Sequence, residues 1–423
     1  MKSKKQLHIV VLVILIFFVI SLITNILGSL EPNIADSFSL RKWTAGFLPF
    51  SFFIAYGVMS IPAGILIEKK GEKFVLQLAF ILSLAGVLIF AFFTSYAIAL
   101  ISLFTIGLGI AILQVVINPL LRAAGGEEHF AFNSVLAQLF FGGASFLCPR
   151  LYSYLVLNIH TSNSNFLLDA LNKVVPANLK WVSLYWVFAA IIIAMILIIW
   201  MIKFPKVELK EDEKIGTLAT FKELLRNRYT ILFFFGTFAY VGTEQGISYW
   251  ISDFLHLYHG QPPETVGADV NGNFWLYMTI GCVLGLVLLK LFDSRKLLCV
   301  FVVGAAISLT AALFGPTQVA IYAFPMCGFF ASVMWSIVMS LALNSVPSHH
   351  GSFAGILCTG IIGGAVVPLL IGTIADFTGL RAAMFLVYVT LAYLFSMGMW
   401  AKPLVNNAQM TLKDLFRANK EVD

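Results

Sequence analysis

Apolar residues in this chain come in twelve long blocks, not in the short alternations of a water-soluble fold. The blocks run over residues 7–30, 43–67, 74–93, 96–121, 130–155, 181–203, 229–255, 273–291, 297–314, 317–343, 352–375 and 381–401. Runs of this length cross about 30 Å of hydrocarbon at 1.5 Å per residue. Backbone N–H and C=O groups in lipid must be satisfied within their own segment, so the pattern predicts helices. The expected fold class is an all-α membrane protein with twelve transmembrane helices.

Polar residues collect between the blocks. The longest polar stretch, 204–228, opens with the charge-dense run Pro205 to Lys214. It continues into a predicted helix whose Leu218, Phe221, Leu224 and Leu225 share one face, with Thr220 and Glu223 at capping-box spacing. Such a helix is expected on the inner leaflet or under the bundle. Residues 156–180 form the sizeable loop on the opposite side.

The blocks also repeat. Gly64 maps onto Gly285 (285−64 = 221), Gly107 onto Gly328 (328−107 = 221), and Gly142-Gly143-Ala144 onto Gly363-Gly364-Ala365 (363−142 = 221). One offset across three separated glycine sites predicts two pseudo-symmetric halves of six spans each. The domain reading is an N-terminal six-helix half over 1–203, a cytosolic linker with an amphipathic helix over 204–228, a C-terminal half over 229–401 and a cytosolic tail over 402–423. Two parallel halves in a membrane point to a secondary carrier, whose substrate binds at the midplane between them.

Composition and charge agree. Apolar residues make up 60% of the chain and charged residues 11%, more apolar surface than a soluble core requires. Taking the N-terminus as inside, 21 of the 27 Lys and Arg fall in cytosolic segments. That bias predicts a cytoplasmic (inner) membrane protein with both termini cytosolic, and it accounts for the net charge of +6 without nucleic acid. The first apolar run is too long for a signal peptide and lacks a small-residue cleavage pattern. Cys148, Cys282, Cys299, Cys327 and Cys358 all fall in spans without ligand spacing, and read as packing residues. The pair His349-His350 reads as solvated. No metal site, cofactor or enzymatic domain is expected; Gly107-Leu108-Gly109 lies in mid-span and no Lys-Ser or Lys-Thr follows it.

Several local motifs narrow the class. Gly64-Ile65-Leu66-Ile67-Glu68-Lys69-Lys70-Gly71-Glu72-Lys73, between the second and third spans, resembles the signature loop of the major facilitator superfamily. Gly71 suits a tight turn, and Gly64, Glu68, Lys69, Gly71 and Lys73 read as a cytosolic latch. Tyr240-Val241-Gly242-Thr243-Glu244, the stretch from Gly328 to Trp335, and the stretch from Ile361 to Leu369 resemble the seventh, tenth and eleventh spans of the fucose and glucose/galactose sugar–cation symporters. Asn118-Pro119 and Leu136-Ala137-Gln138 match the same group. The resemblance implies cation-coupled sugar transport. Two departures count against it: Gly28 and Gln114 stand where the proton-coupled members of that group look to carry an Asp and a Glu.

The midplane offers a sugar-like chemistry. Gln114 and Asn118 lie four apart on one face of the fourth helix, and paired amides can both accept from and donate to adjacent hydroxyls. The repeat sets Gln114 opposite Trp335, whose ring suits the apolar face of a pyranose. Gln138, Asn25 and Tyr249 complete the candidate substrate-binding set. Glu244 is the acid placed near mid-membrane, where a carboxylate is costly and marks function. It is the candidate coupling group, for a proton or for sodium with Thr243 or Ser248 adding oxygens. Arg150 is expected to pair with an outer acid such as Glu31, and Asp253 to be structural. The reading is a carrier, functional as a monomer in the lipid bilayer, for a hexose-like sugar by alternating access with cation-coupled uptake. A sugar uniporter and a drug or metabolite exporter are the alternatives.

Overall fold

The computed structural model describes residues 7–125, 130–161, 165–202, 204, 218–345 and 350–402. Its helices group into twelve spanning elements. The first span is Leu7–Thr24 and Leu27–Ser37, the second Lys42–Ala45 and Phe47–Lys70, the third Glu72–Phe92 and the fourth Tyr96–Gly125. Phe130–Asn158 and Ser183–Met201 are the fifth and sixth. The seventh is Arg228–Ser248 and Ile251–His259, the eighth Ala268–Leu291, the ninth Ser294–Phe314 and the tenth Thr317–Ala331 with Met334–Leu343. His350–Thr359 with Gly363–Thr378 forms the eleventh, and Leu380–Ala383 with Leu386–Trp400 the twelfth. Ten spans are long and apolar enough to cross a membrane by themselves. Among the described residues, the fifth and seventh are not among those ten; the seventh carries Glu244 and Gln245 in its run. The chain is a multi-pass membrane protein.

The repeat has a packing reason. A side chain on Gly107 would run into the carbonyl of Phe52, and one on Gly328 into the carbonyl of Phe274. These two phenylalanines are themselves 222 residues apart (274−52). In each half, glycine lets the fourth element (fourth or tenth span) touch the backbone of the second (second or eighth), an approach that any β-carbon would block. The first and seventh spans both break, at Asn25-Ile26 and at Tyr249-Trp250. Both breaks pack into neighbouring spans, Asn25 donating to Ser145 and Tyr249 to the Ala45 carbonyl.

The halves meet on the side opposite the termini, the far side. There the second span lies against the eleventh, with Gly46 on Leu369 and Gly372 on the Lys42 carbonyl. Fifth and eighth spans touch from Gly142, against Thr279, outward to Gly272, against Phe146 and Arg150. On the termini side of Gly142, Gln138, Leu139 and Phe140 are exposed, as are Val283, Leu286 and Val287 on the eighth span. The halves are packed closely on the far side, and the second and eleventh spans stay together further in, with Gly57 on Ile362 and Gly355 near Ile61.

The linker helix covers Leu218–Arg226. Leu224 is buried while Leu225, Lys222 and Glu223 are exposed, and the side chain of Leu218 is outside the described residues. Most of the preceding charged stretch, and the side chain of Phe221, lie outside the described residues.

Candidate functional site

The seventh span carries the densest polar chemistry near the break. Tyr240 and Glu244 stand one turn apart, on one face. The Tyr240 hydroxyl donates to a Glu244 carboxylate oxygen at 2.5 Å, and Gln245 Nε2 donates to the other at 2.9 Å. A carboxylate in mid-membrane is expensive, and two donors offset part of that cost through charge-assisted bonds. Tyr240 in turn packs its ring on Trp335, with centroids 5.7 Å apart and planes at 48°. Glu244 and Trp335 are half-buried, whereas Tyr240 and Gln245 are buried. An aromatic wall beside an acceptor-rich carboxylate and an amide suits a polyhydroxy ligand with one apolar face. Tyr56 of the second span and Cys282 of the eighth lie close enough to Glu244 to interact with it electrostatically. Tyr56 therefore brings the N-terminal half to the same acid.

The other sequence candidates are dispersed. Asn25 sits at the first-span break, buried, with its Nδ2 donating to Ser145 at 2.8 Å. Ser145 bonds Ser21 at 2.5 Å, so Asn25 ties the first span to the fifth within one half. Gln114 is half-buried and Gln138 exposed. Asn118 lies on the fourth helix, but its side chain is outside the described residues. Tyr249 is buried among the far-side contacts, and its hydroxyl donates to the Ala45 carbonyl at 2.7 Å across the two halves. Thr243, considered as a sodium ligand, turns toward the twelfth span, where its hydroxyl lies 2.7 Å from that of Thr390.

Gly28 is tightly enclosed. A β-carbon there would strike the Ser248 carbonyl, which already accepts from Asn271 Nδ2 at 2.6 Å. The first span closes directly on the seventh and eighth, leaving no room for a carboxylate in this conformation.

Sequence reasoning missed the far-side seal. Lys42 Nζ lies 2.7 Å from Asp253 Oδ1, joining second to seventh span across 211 residues. Asp376 of the eleventh span accepts from the backbone N–H groups of Lys42 and Trp43 at 3.0 and 3.2 Å, satisfying donors that a helix start leaves open. Asp253 thus fastens the two halves together. Arg150 pairs with an outer acid as expected, but the acid is Asp269 in place of Glu31: its NH2 lies 3.2 Å from both Asp269 and Asn273, and its guanidinium stands 3.8 Å over the Phe146 ring. Asp269 and Asn273 begin the eighth span directly opposite Arg150, so the guanidinium reaches them first.

On the termini side, Gly71 alone separates the second and third spans, at φ 78° and ψ 163°, a conformation that is essentially glycine-only. Lys73 Nζ donates to the carbonyls of Trp200 and Ile202 at 2.9 and 2.7 Å. It caps the end of the sixth span within its own half. Gly64 is buried in the second span, Lys69 is exposed, and the side chain of Glu68 is outside the described residues. Gly71→Leu should cost about 1–3 kcal/mol from its backbone geometry. A melting temperature in detergent lowered by a few degrees, with slowed turnover, is the expected outcome; unchanged values of both would exclude a strained hinge.

Comparison with known proteins follows the same lines. Residues 13–361 match the family model of the Major Facilitator Superfamily. The chain is 29% identical to a glucose/galactose transporter of Brucella abortus biovar 1 (strain 9-941), over 91% of this chain and 92% of the relative. It is 25% identical to the L-fucose-proton symporter of Escherichia coli (strain K12), over 86% of each. Among solved structures, the transporter FucP in the outward conformation superposes with a TM-score of 0.68 at 22% identity, covering 93% of this chain and 98% of that one.

Proposed function

The chain belongs to the Major Facilitator Superfamily, and we propose that within it this protein carries a hexose-like sugar across the cytoplasmic membrane. The carrier works by alternating access, as cation-coupled uptake, with both termini in the cytosol. One observation supports this reading above the others: Tyr240, Glu244, Gln245 and Trp335 form an aromatic and hydrogen-bonding group at the midplane. The relatives named for glucose, galactose and fucose transport point to the same substrate class. A sealed far side then corresponds to the inward-facing state. Each chain contains both halves of the pathway, so a monomer suffices. A sugar uniporter is the second reading, and it is favoured by the closed packing at Gly28 and by Gln114 in place of the two symporter acids.

Uptake into proteoliposomes, run over a panel of hexoses with imposed proton or sodium gradients, tests the proposal. Accumulation above equilibrium supports the coupled carrier, and equilibration alone supports the uniporter. Flux of amphiphilic drugs without sugar flux would overturn both. Within the same reading, Gln114→Ala removes one or two neutral hydrogen bonds of roughly 0.5–1.5 kcal/mol each. Sugar affinity should weaken by up to about tenfold; an unchanged affinity in calorimetry would remove Gln114 from the site.

A further inference from the structure

Glu31 is fully buried at 0% exposure in the outer helix of the first span. Neither of its carboxyl oxygens has a hydrogen-bond partner among the described residues. It lies in the far-side seal. Lys42 of the second span, Tyr249 and Asp253 of the seventh, and Asp36 of its own helix are its electrostatic neighbours. Further out, His256 acts on Asp253, and Asp376 of the eleventh span takes the main chain of Lys42. On the side of the fifth and eighth spans, Tyr152 bonds Asn33 and interacts with Glu264, while Asp269 is engaged by Arg150.

The ammonium nearest Glu31 is already committed. Lys42 Nζ sits 2.7 Å from Asp253 Oδ1, and Asp253 keeps its second oxygen buried and unpartnered. Two carboxylates facing one ammonium leave one negative charge without a counterion. An ionised carboxylate buried without any donor is costly enough that it takes up a proton instead. A sodium ion fits poorly, because it would sit beside the Lys42 ammonium and be repelled by it. A proton needs only one oxygen.

We propose that Glu31 is a proton-binding site of the far-side seal, which closes as Glu31 takes a proton and releases that proton when it opens. On closing, an O–H bond forms between a proton from far-side water and a Glu31 oxygen, and the charge on Glu31, Asp253 and Lys42 together rises from −1 to 0. On opening, water solvates the carboxylate, the bond breaks and the proton returns to the far side. The device is separate from Glu244 and does not depend on the identity of the sugar.

The sealed state therefore holds one more proton than the open state. Its share grows as pH falls, by up to about tenfold per pH unit above the ordinary glutamate value of about 4.3, and declines as pH rises. Spin labels introduced by Phe166→Cys and Phe377→Cys, at far-side positions 92% and 86% exposed, report the gap between the halves once the native cysteines are replaced. Dipolar distances would be recorded from pH 8 to pH 5 without sugar. In the otherwise wild-type chain the short-distance share should rise as pH falls. Glu31→Gln, similar in shape and always neutral, should stay short at every pH and lose the slope. Glu31→Leu should do the same and serves where the Gln variant does not insert. A slope that survives in a folded Glu31 variant, a wild type without a slope, or a distance change that follows sodium at fixed pH would each overturn the proposal. Because no sugar is present, such a failure leaves the transport reading untouched.

Discussion

Replacing Lys42 with Met should shift the resting carrier toward the far-side-open state. The Met side chain keeps the apolar stem but removes the ammonium, leaving Asp253, whose side chain is 4% exposed, without its counterion in the seal. Breaking a buried ion pair in this way costs about 3–5 kcal/mol. The 25% exposure of the Lys42 side chain argues for a smaller effect, about 2–3 kcal/mol. At 1.4 kcal/mol per factor of ten, that is roughly a 30–150-fold change in the sealed-to-open ratio. Spin-label distances across the far side should lengthen, and sugar turnover should fall because each cycle has to close against the orphaned charge. Adding Asp253→Asn to Lys42→Met removes that charge and should restore part of the sealed population. An unchanged distance distribution in Lys42→Met would show that the pair does not hold the seal.

Glu244→Gln should separate accumulation from movement. The amide keeps the shape of the carboxyl and can still accept from Tyr240, whose hydroxyl lies 2.5 Å away, but it carries neither a negative charge nor a titratable proton. If Glu244 carries the coupling charge, uphill accumulation is lost while exchange of labelled sugar down its gradient persists. Because Thr243 is turned toward Thr390, a proton is the better-supported partner. Accumulation in the Gln variant would place coupling elsewhere. Indifference of the wild type to both pH and sodium would make the protein a uniporter, with Glu244 as a sugar ligand.

The architecture was legible because lipid enforces it. Long apolar blocks and the glycine offset each follow from a single strong constraint, and the Gly107–Phe52 and Gly328–Phe274 contacts supply the packing cause of the repeat. Glu244 stood out for the same reason, as an acid in an apolar run. The helix breaks at Asn25-Ile26 and Tyr249-Trp250 were not legible, since neither contains Gly or Pro and both depend on neighbouring spans. Lys42 read as one of a few outer basic residues. Its partner lies 211 positions away, and only the closed arrangement of the halves brings the two together. Tyr249 carries the right chemistry for a sugar, yet its hydroxyl is taken by a backbone carbonyl that no sequence pattern announces. Tyr56 was missed because a tyrosine among apolar residues reads as packing until its distance to an acid on another span is known.

The contact at Gly28 leaves no place for an acid at this position while the far side is closed. Gly28→Asp would put its first side-chain atom into the Ser248 carbonyl and beside Asn271, so an acid grafted there acts as a wedge before it can act as a proton carrier. The graft calls for a seventh span set further out and a smaller residue at 271. An acid at position 28 and the present spacing of the first, seventh and eighth spans therefore exclude one another in this closed arrangement.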